Sequence, residues 1–189
     1  MPKLWTETID AHRHAVREAI LDAAAQLIDG GGLRAVTMSQ LAERAGIGRA
    51  TLYKYFSDAE AVLMAWHERQ IAAHLDLLAQ AADHPGTAAQ RLLGLLTAYA
   101  RMAGQRHGGE LAAMLHQGDH TSHAEQHLAR LITDLIAEGA QARELRDDVP
   151  PDELATYCLH AATAASAMAA KSAIDRLVGV ILHGLRPVP

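Results

Sequence analysis

Thr37-Met-Ser-Gln-Leu-Ala-Glu-Arg-Ala-Gly-Ile-Gly-Arg-Ala-Thr-Leu-Tyr-Lys-Tyr-Phe56 is the stretch from which the rest of the chain can be read. Thr37 and Gln40 have the spacing of a capping box, in which each side chain satisfies a backbone amide of the other residue. A short helix is expected from Met38 to Arg44. Ala45-Gly46-Ile47-Gly48 then reads as a tight turn, with Gly46 allowing it, and a second short helix as Arg49 to Tyr55. Leu41, Ala42, Ile47, Leu52 and Phe56 fall where they would lock the two helices together. Arg49, Ala50, Thr51, Tyr53, Lys54 and Tyr55 then face outward, a mix of cations, hydroxyls and small groups that suits phosphates and base edges. Two short helices about a glycine turn make a helix-turn-helix. Its first helix braces the second against the DNA backbone, and the second reaches into a major groove about 12 Å wide.

The charge of the whole chain, −5, argues at first sight against a nucleic-acid partner. The distribution reverses that argument. Between Arg34 and Phe56 there are four cations (Arg34, Arg44, Arg49, Lys54) against Glu43, a local +3 that leaves −8 for the remainder. A Debye length of roughly 8 Å screens the acidic remainder from a phosphate docked on this segment.

Outward from this segment the pattern is helical in both directions. Val16, Ala19, Ile20, Ala23, Leu27 and Ile28 repeat at helical spacing from Asp10 to Asp29, and Gly30-Gly-Gly32 stops that helix. Ser57 to Glu60 has the form of a second capping box, opening a long helix to about Ala82 with Met64, Ile71, Leu75 and Leu78 as its buried stripe. His84-Pro-Gly86 breaks that helix, and Thr87 with Gln90 caps the next one, to about Gln105. A short helix is expected from Glu110 to about His116, and another from a box at Ser122, carrying Leu128, Leu131, Ile132, Leu135 and Ile136. After Pro150-Pro151 two further helices are expected, joined near Ala170. The fold class is all-α, with about nine helices. The composition agrees: half of the 189 residues are hydrophobic but only seven are aromatic, so the core is built from Ala, Leu, Ile, Val and Met.

The Thr37–Phe56 stretch, with its Thr51-Leu-Tyr-Lys-Tyr-Phe56 centre and the following Glu60-Ala-Val-Leu63, resembles the tetracycline-repressor (TetR) family of bacterial transcription regulators. The resemblance implies a homodimer with a three-helix DNA-binding domain, residues 1–57, and a helical ligand-binding and dimerisation domain, residues 58–189. It implies that Thr37 caps its helix and touches phosphate, that Arg49, Ala50 and Thr51 face bases, and that Tyr53, Lys54 and Tyr55 lie on backbone or base edges. Its partners would be double-stranded DNA with a palindromic operator and a small-molecule effector, most often in repression. Two positions depart from the family pattern. Gly48 stands at the recognition-helix cap where Ser or Thr is common, and Ala59 stands where Lys is usual. Both remove a phosphate contact, so weaker nonspecific DNA affinity is expected.

In the C-terminal helices, Trp66, Tyr99, Met102, Met114 and Tyr157 are candidates to line an apolar pocket, each with plain core as its alternative. Few formal charges fall in Leu92 to Tyr99 or Cys158 to Ala170, which favours an apolar or aromatic ligand. The stripe Ile174, Leu177, Val178, Ile181 and Leu182 is expected to form the dimer seam, with Ala161, Ala162, Ala165 and Ala169 allowing close approach. His116, His120, His123 and His127 would form a metal-binding row on one unbroken helix. Gly118 and the box at Ser122 are expected to split them, so no metal and no cofactor is assigned. A histidine-dependent metal-binding regulator or helical metal-binding protein stays open as the alternative. Lone Cys158 excludes an intramolecular disulfide and CxxC chemistry. Gly-x-Ser-x-Gly, P-loop and GxGxxG motifs are absent, so no enzyme is expected. No stretch is apolar enough to span a bilayer and no signal peptide is expected, so the expected location is cytoplasmic.

Overall fold

The computed structural model describes residues 3–104 and 119–188. Among them are eight α-helices: α1 (Lys3–Gly31), α2 (Met38–Arg44), α3 (Arg49–Leu52), α4 (Ala59–Ala82), α5 (Ala88–Gly104), α6 (Asp119–Gln141), α7 (Pro151–Thr163) and α8 (Lys171–Gly184). Short 3-10 turns cover Leu33–Ala35 and Ala164–Ala167, and no strand is present among the described residues. The expected short helix from Glu110 to His116, and with it Met114, lies outside the described residues. The chain divides into two compact units, Met1–Gln70 and Ile71–Pro189, with the division inside α4.

The first unit is a helix-turn-helix packed on one long helix. α1 ends where the Gly32 amide still bonds the Ile28 carbonyl at 2.8 Å and Gly32 itself turns to φ +70°. Ile20, Leu21, Ala24 and Leu27 from α1 meet Leu41 and Ala42 from α2, Leu52 from α3, Phe56, and Val62 and Ala65 from α4. Of the residues the spacing predicts, Ile20, Ala23, Leu27, Leu41, Ala42, Leu52 and Phe56 are buried, Val16, Ile28, Ile47 and Met64 are only partly buried and Ala19 is exposed, while Leu21 and Ala24 join the core without having been predicted. Three polar ties hold its outer side. Arg69 bonds Glu18 and Asp22 at 2.8 and 2.9 Å, Arg44 bonds Gln26 at 3.3 Å, and the Arg17 guanidinium stacks 4.9 Å above the Phe56 ring. These are partly exposed pairs, each adding about 0.2–1 kcal/mol, so apolar burial dominates.

Two expected helix starts are displaced. α4 is capped by Asp58, one residue after the predicted Ser57: its carboxylate accepts the Ala61 amide at 2.8 Å and the Ser57 hydroxyl at 2.9 Å. Those two bonds hold the Asp58 carboxyl below its ordinary value. Among the described residues α6 already runs from Asp119, so the predicted cap Ser122 lies within the helix and does not start it. His120, His123 and His127 therefore share one helix, contrary to the expected split, while His116 falls outside the described residues. No three His, Cys, Asp or Glu side chains among the described residues are arranged to hold a metal ion.

The second unit packs α5, α6, α7 and α8 with the end of α4. Its core joins Leu92, Leu95 and Leu96, Leu128, Ile132 and Ile136, Leu154, Cys158 and Ala162, and Ile174, Val178 and Ile181. α5 starts at the predicted Thr87–Gln90 box, whose two reciprocal bonds measure 3.0 and 3.3 Å. Arg91 clamps three helices at once, donating to the last carbonyl of α4, Ala82, and to Glu138 of α6, both at 2.8 Å. At the end of α6, a Cβ on Gly139 would stand 2.6 Å from the Leu145 side chain, so glycine is what lets Leu145 fold back on the helix. The dimer-seam expectation needs correcting. Ile174, Val178 and Ile181 are buried in this unit's own core, and Leu177 and Leu182 are packed against it. The stripe is real, but a single chain already buries Ile174, Val178 and Ile181, while Leu177 and Leu182 stay partly accessible. On α7 and α8 the large apolar side chains left outside are Val180, 66 % exposed, and Tyr157, 45 % exposed.

Cys158 is fully buried in that core, and desolvation pushes its thiol up to about 12. A raised acid holds its proton through the neutral range, so the native protein should resist Ellman's reagent at pH 8 and react stoichiometrically only when unfolded. Rapid labelling of the native chain would contradict this burial.

Candidate nucleic-acid interface and ligand cavity

The helix-turn-helix is built from local bonds. The Thr37 hydroxyl accepts the Gln40 amide at 3.3 Å, making the predicted cap of α2. Gly46 has φ +67°, a conformation a side chain would strain, so the turn depends on glycine here. The Ile47 amide closes the turn on the Ala42 carbonyl at 3.0 Å. Gly48 occupies the cap of α3 in extended conformation with no side-chain bond, so the missing hydroxyl is not replaced. α3 is regular only to Leu52, shorter than expected. Lys54 and Tyr55 then bond the carbonyls of Thr51 and Leu52 at 3.0 and 2.9 Å, the i to i+3 pattern of a tightened turn.

The predicted DNA-facing residues separate into two groups. Thr37, Gly48, Arg49, Ala50, Tyr53 and Lys54 are exposed. Thr51 is half-buried, and Tyr55 is half-buried too, packed partly against the core. Sequence reasoning did not single out Ser39. On α2, its hydroxyl accepts a hydrogen bond from the Arg49 guanidinium, so the one cation at the start of α3 is aimed along the face that α2 shares.

The second unit contains a cavity of about 320 Å³. α4 contributes Ile71, His74, Leu75 and Leu78; α5 contributes Tyr99, Met102 and Ala103; α6 contributes Ala124, Glu125 and Leu128; α7 contributes Leu159, His160 and Thr163. Of the predicted ligand residues, Tyr99 and Met102 line it. Trp66 does not: it packs on the first unit's core, with its indole nitrogen buried and without a hydrogen-bond partner among the described residues. Tyr157 sits on the outside of α7, its hydroxyl 3.5 Å from where a Cβ on Gly184 would stand. Ile71 and Leu75 explain themselves here. They belong to the predicted stripe of α4 yet stay partly accessible, because they face a cavity and not packed side chains. The set Ile71, His74, Leu75 and Leu78 has the i, i+3, i+4, i+7 spacing that could have flagged one lining face from sequence.

Comparison with known proteins agrees with this architecture. Residues 20–65 match the family described as bacterial regulatory proteins, tetR family. Residues 84–187 match the C-terminal domain described as transcriptional regulator SbtR-like. The uncharacterized HTH-type transcriptional regulator YdeS of Bacillus subtilis (strain 168) is 29% identical over 140 residues, covering 70% of this chain and 68% of its own. Among solved structures, a TetR/AcrR-family regulator from Thermobifida fusca superposes with a TM-score of 0.72 at 22% identity, covering 90% of this chain and 98% of the other. The TetR regulator SCO0520 of Streptomyces coelicolor gives 0.63 at 26% identity, covering 92% and 99%. The helix-turn-helix, its packing on α1 and α4, and two matches of which the second alone spans more than half the chain lead to one conclusion: the protein belongs to the TetR family of DNA-binding transcriptional regulators.

Proposed function

We propose that this regulator is a cytoplasmic homodimeric repressor that occupies a palindromic operator and leaves it when a small, largely apolar ligand fills the α4–α7 cavity. Residues 1–57 carry the DNA-binding function and residues 58–189 bind the ligand and form the dimer. The observation that carries the reading is the cavity itself, lined mainly by Ile, Leu, Met and Ala side chains. Its α4 wall belongs to the helix that also supplies Val62 and Ala65 to the helix-turn-helix core. A ligand that fits only one setting of this unbroken helix changes the spacing of two recognition helices in a dimer. Operator half-sites have fixed spacing, so a ligand with about 3 kcal/mol of preference between two settings lowers DNA affinity about a hundredfold. Among the described residues no helix is long and apolar enough to cross a membrane.

Selection of bound fragments from a random DNA pool tests the reading directly. The expected product is a palindrome with half-sites about one helical turn apart or slightly more. Recovery of no enriched sequence, or of a single non-repeated half-site, would overturn it. An effector found afterwards must also bind less tightly in the presence of operator by the same factor by which it weakens DNA binding.

A further inference from the structure

Building on the reading of the α4–α7 cavity as the effector site, we propose that the effector is a lipophilic amine bound as its ammonium form. The apolar part of the wall, with Ile71, Leu75, Met102, Leu128 and Leu159, takes a hydrocarbon or aromatic body. The polar part decides the head group, because Glu125, His160 and Thr163 present acceptors there. His160 Nδ1 lies 2.9 Å from the Thr156 carbonyl. A carbonyl can only accept, so Nδ1 donates, and Nε2 of the neutral ring is left with a lone pair. The Thr163 hydroxyl spends its proton on the His160 carbonyl at 2.7 Å, leaving lone pairs. Glu125 carries a carboxylate with no hydrogen bond or ion pair among the described residues, and it too can only accept.

Charge points the same way. No Lys or Arg is among the described residues that line the cavity, so a carboxylate or phosphate entering it would lose water without gaining a counter-charge. An ammonium brings the donors that Glu125, His160 and Thr163 lack, and Tyr99 adds an aromatic ring of the kind that attracts cations. Residues 71–189 hold 13 acidic against 9 basic side chains, so the surrounding field also favours a cation.

The test uses three probes with one body and three heads: 4-phenylbutylamine, 4-phenylbutan-1-ol and 4-phenylbutanoate, titrated calorimetrically into the full-length protein at neutral pH. The amine is expected to bind about five- to tenfold more tightly than the alcohol, the range of a partly screened ion pair, with the carboxylate weakest. Glu125→Gln should remove most of the amine's advantage over the alcohol without lowering the melting temperature. Leu75→Trp, which fills the cavity, should abolish binding of all three. Carboxylate binding equal to or tighter than amine binding would overturn the ammonium assignment and leave the effector site standing. Amine binding that survives Leu75→Trp would place the amine on the acidic surface and also overturn it. Failure of all three probes, the alcohol included, would overturn the effector-site reading and the ammonium assignment with it.

Discussion

Arg49→Ala is expected to lower operator affinity by roughly tenfold to a hundredfold and to relax the preference at one base position of each half-site. Arg49 is exposed at the first position of α3, and Ser39 aims its guanidinium from the neighbouring helix. A bidentate contact of Arg to guanine discriminates by about 1–3 kcal/mol per site. Lys54 should behave differently. It lies exposed in the tightened turn after α3, so Lys54→Ala should weaken all sequences alike and reduce the log–log salt slope by about one for each phosphate it no longer neutralises. Binding measured at several salt concentrations on operator and scrambled DNA separates the two effects. Unchanged operator binding in the double variant would remove α3 from the interface.

The second large effect is expected at the outer face of α7 and α8. Val180→Asp should convert the dimer to a monomer in sedimentation at micromolar concentration and reduce operator binding by at least about a hundredfold, because each half-site is then held alone. Val180 and Gly184 are four residues apart on α8 and so share a face. Tyr157 of α7 reaches that face with its hydroxyl beside Gly184. Val180 is 66 % exposed in the single chain, so an aspartate there costs folding little, and an unchanged melting temperature will distinguish lost dimerisation from unfolding. Val178, two residues earlier, is unsuitable for this test: it is fully buried, and changing it would open the unit's own core. A Val180→Asp variant that stays dimeric would place the seam elsewhere.

Helices with strong local signals are legible from spacing. The Thr37–Gln40 and Thr87–Gln90 boxes, the glycine stop of α1 and the turn at Gly46 all depend on contacts within a few residues, and such contacts are written in the order of residues. The helix-turn-helix core is legible for the same reason, since Leu41, Leu52 and Phe56 meet across a short loop. Where two local signals compete, spacing does not choose: Ser57 against Asp58 is settled by the folded chain. What an apolar stripe faces is a matter of packing between distant segments. Ile174, Val178 and Ile181 look the same in sequence whether they close a dimer or a core, and only the position of α5 beside α8 makes them core. Ile71 and Leu75 look like core and line a cavity, because the four helices around them leave about 320 Å³ unfilled. The polar members of that cavity, Glu125 and His160, come from helices far apart in sequence, and no periodicity within one helix can bring them together.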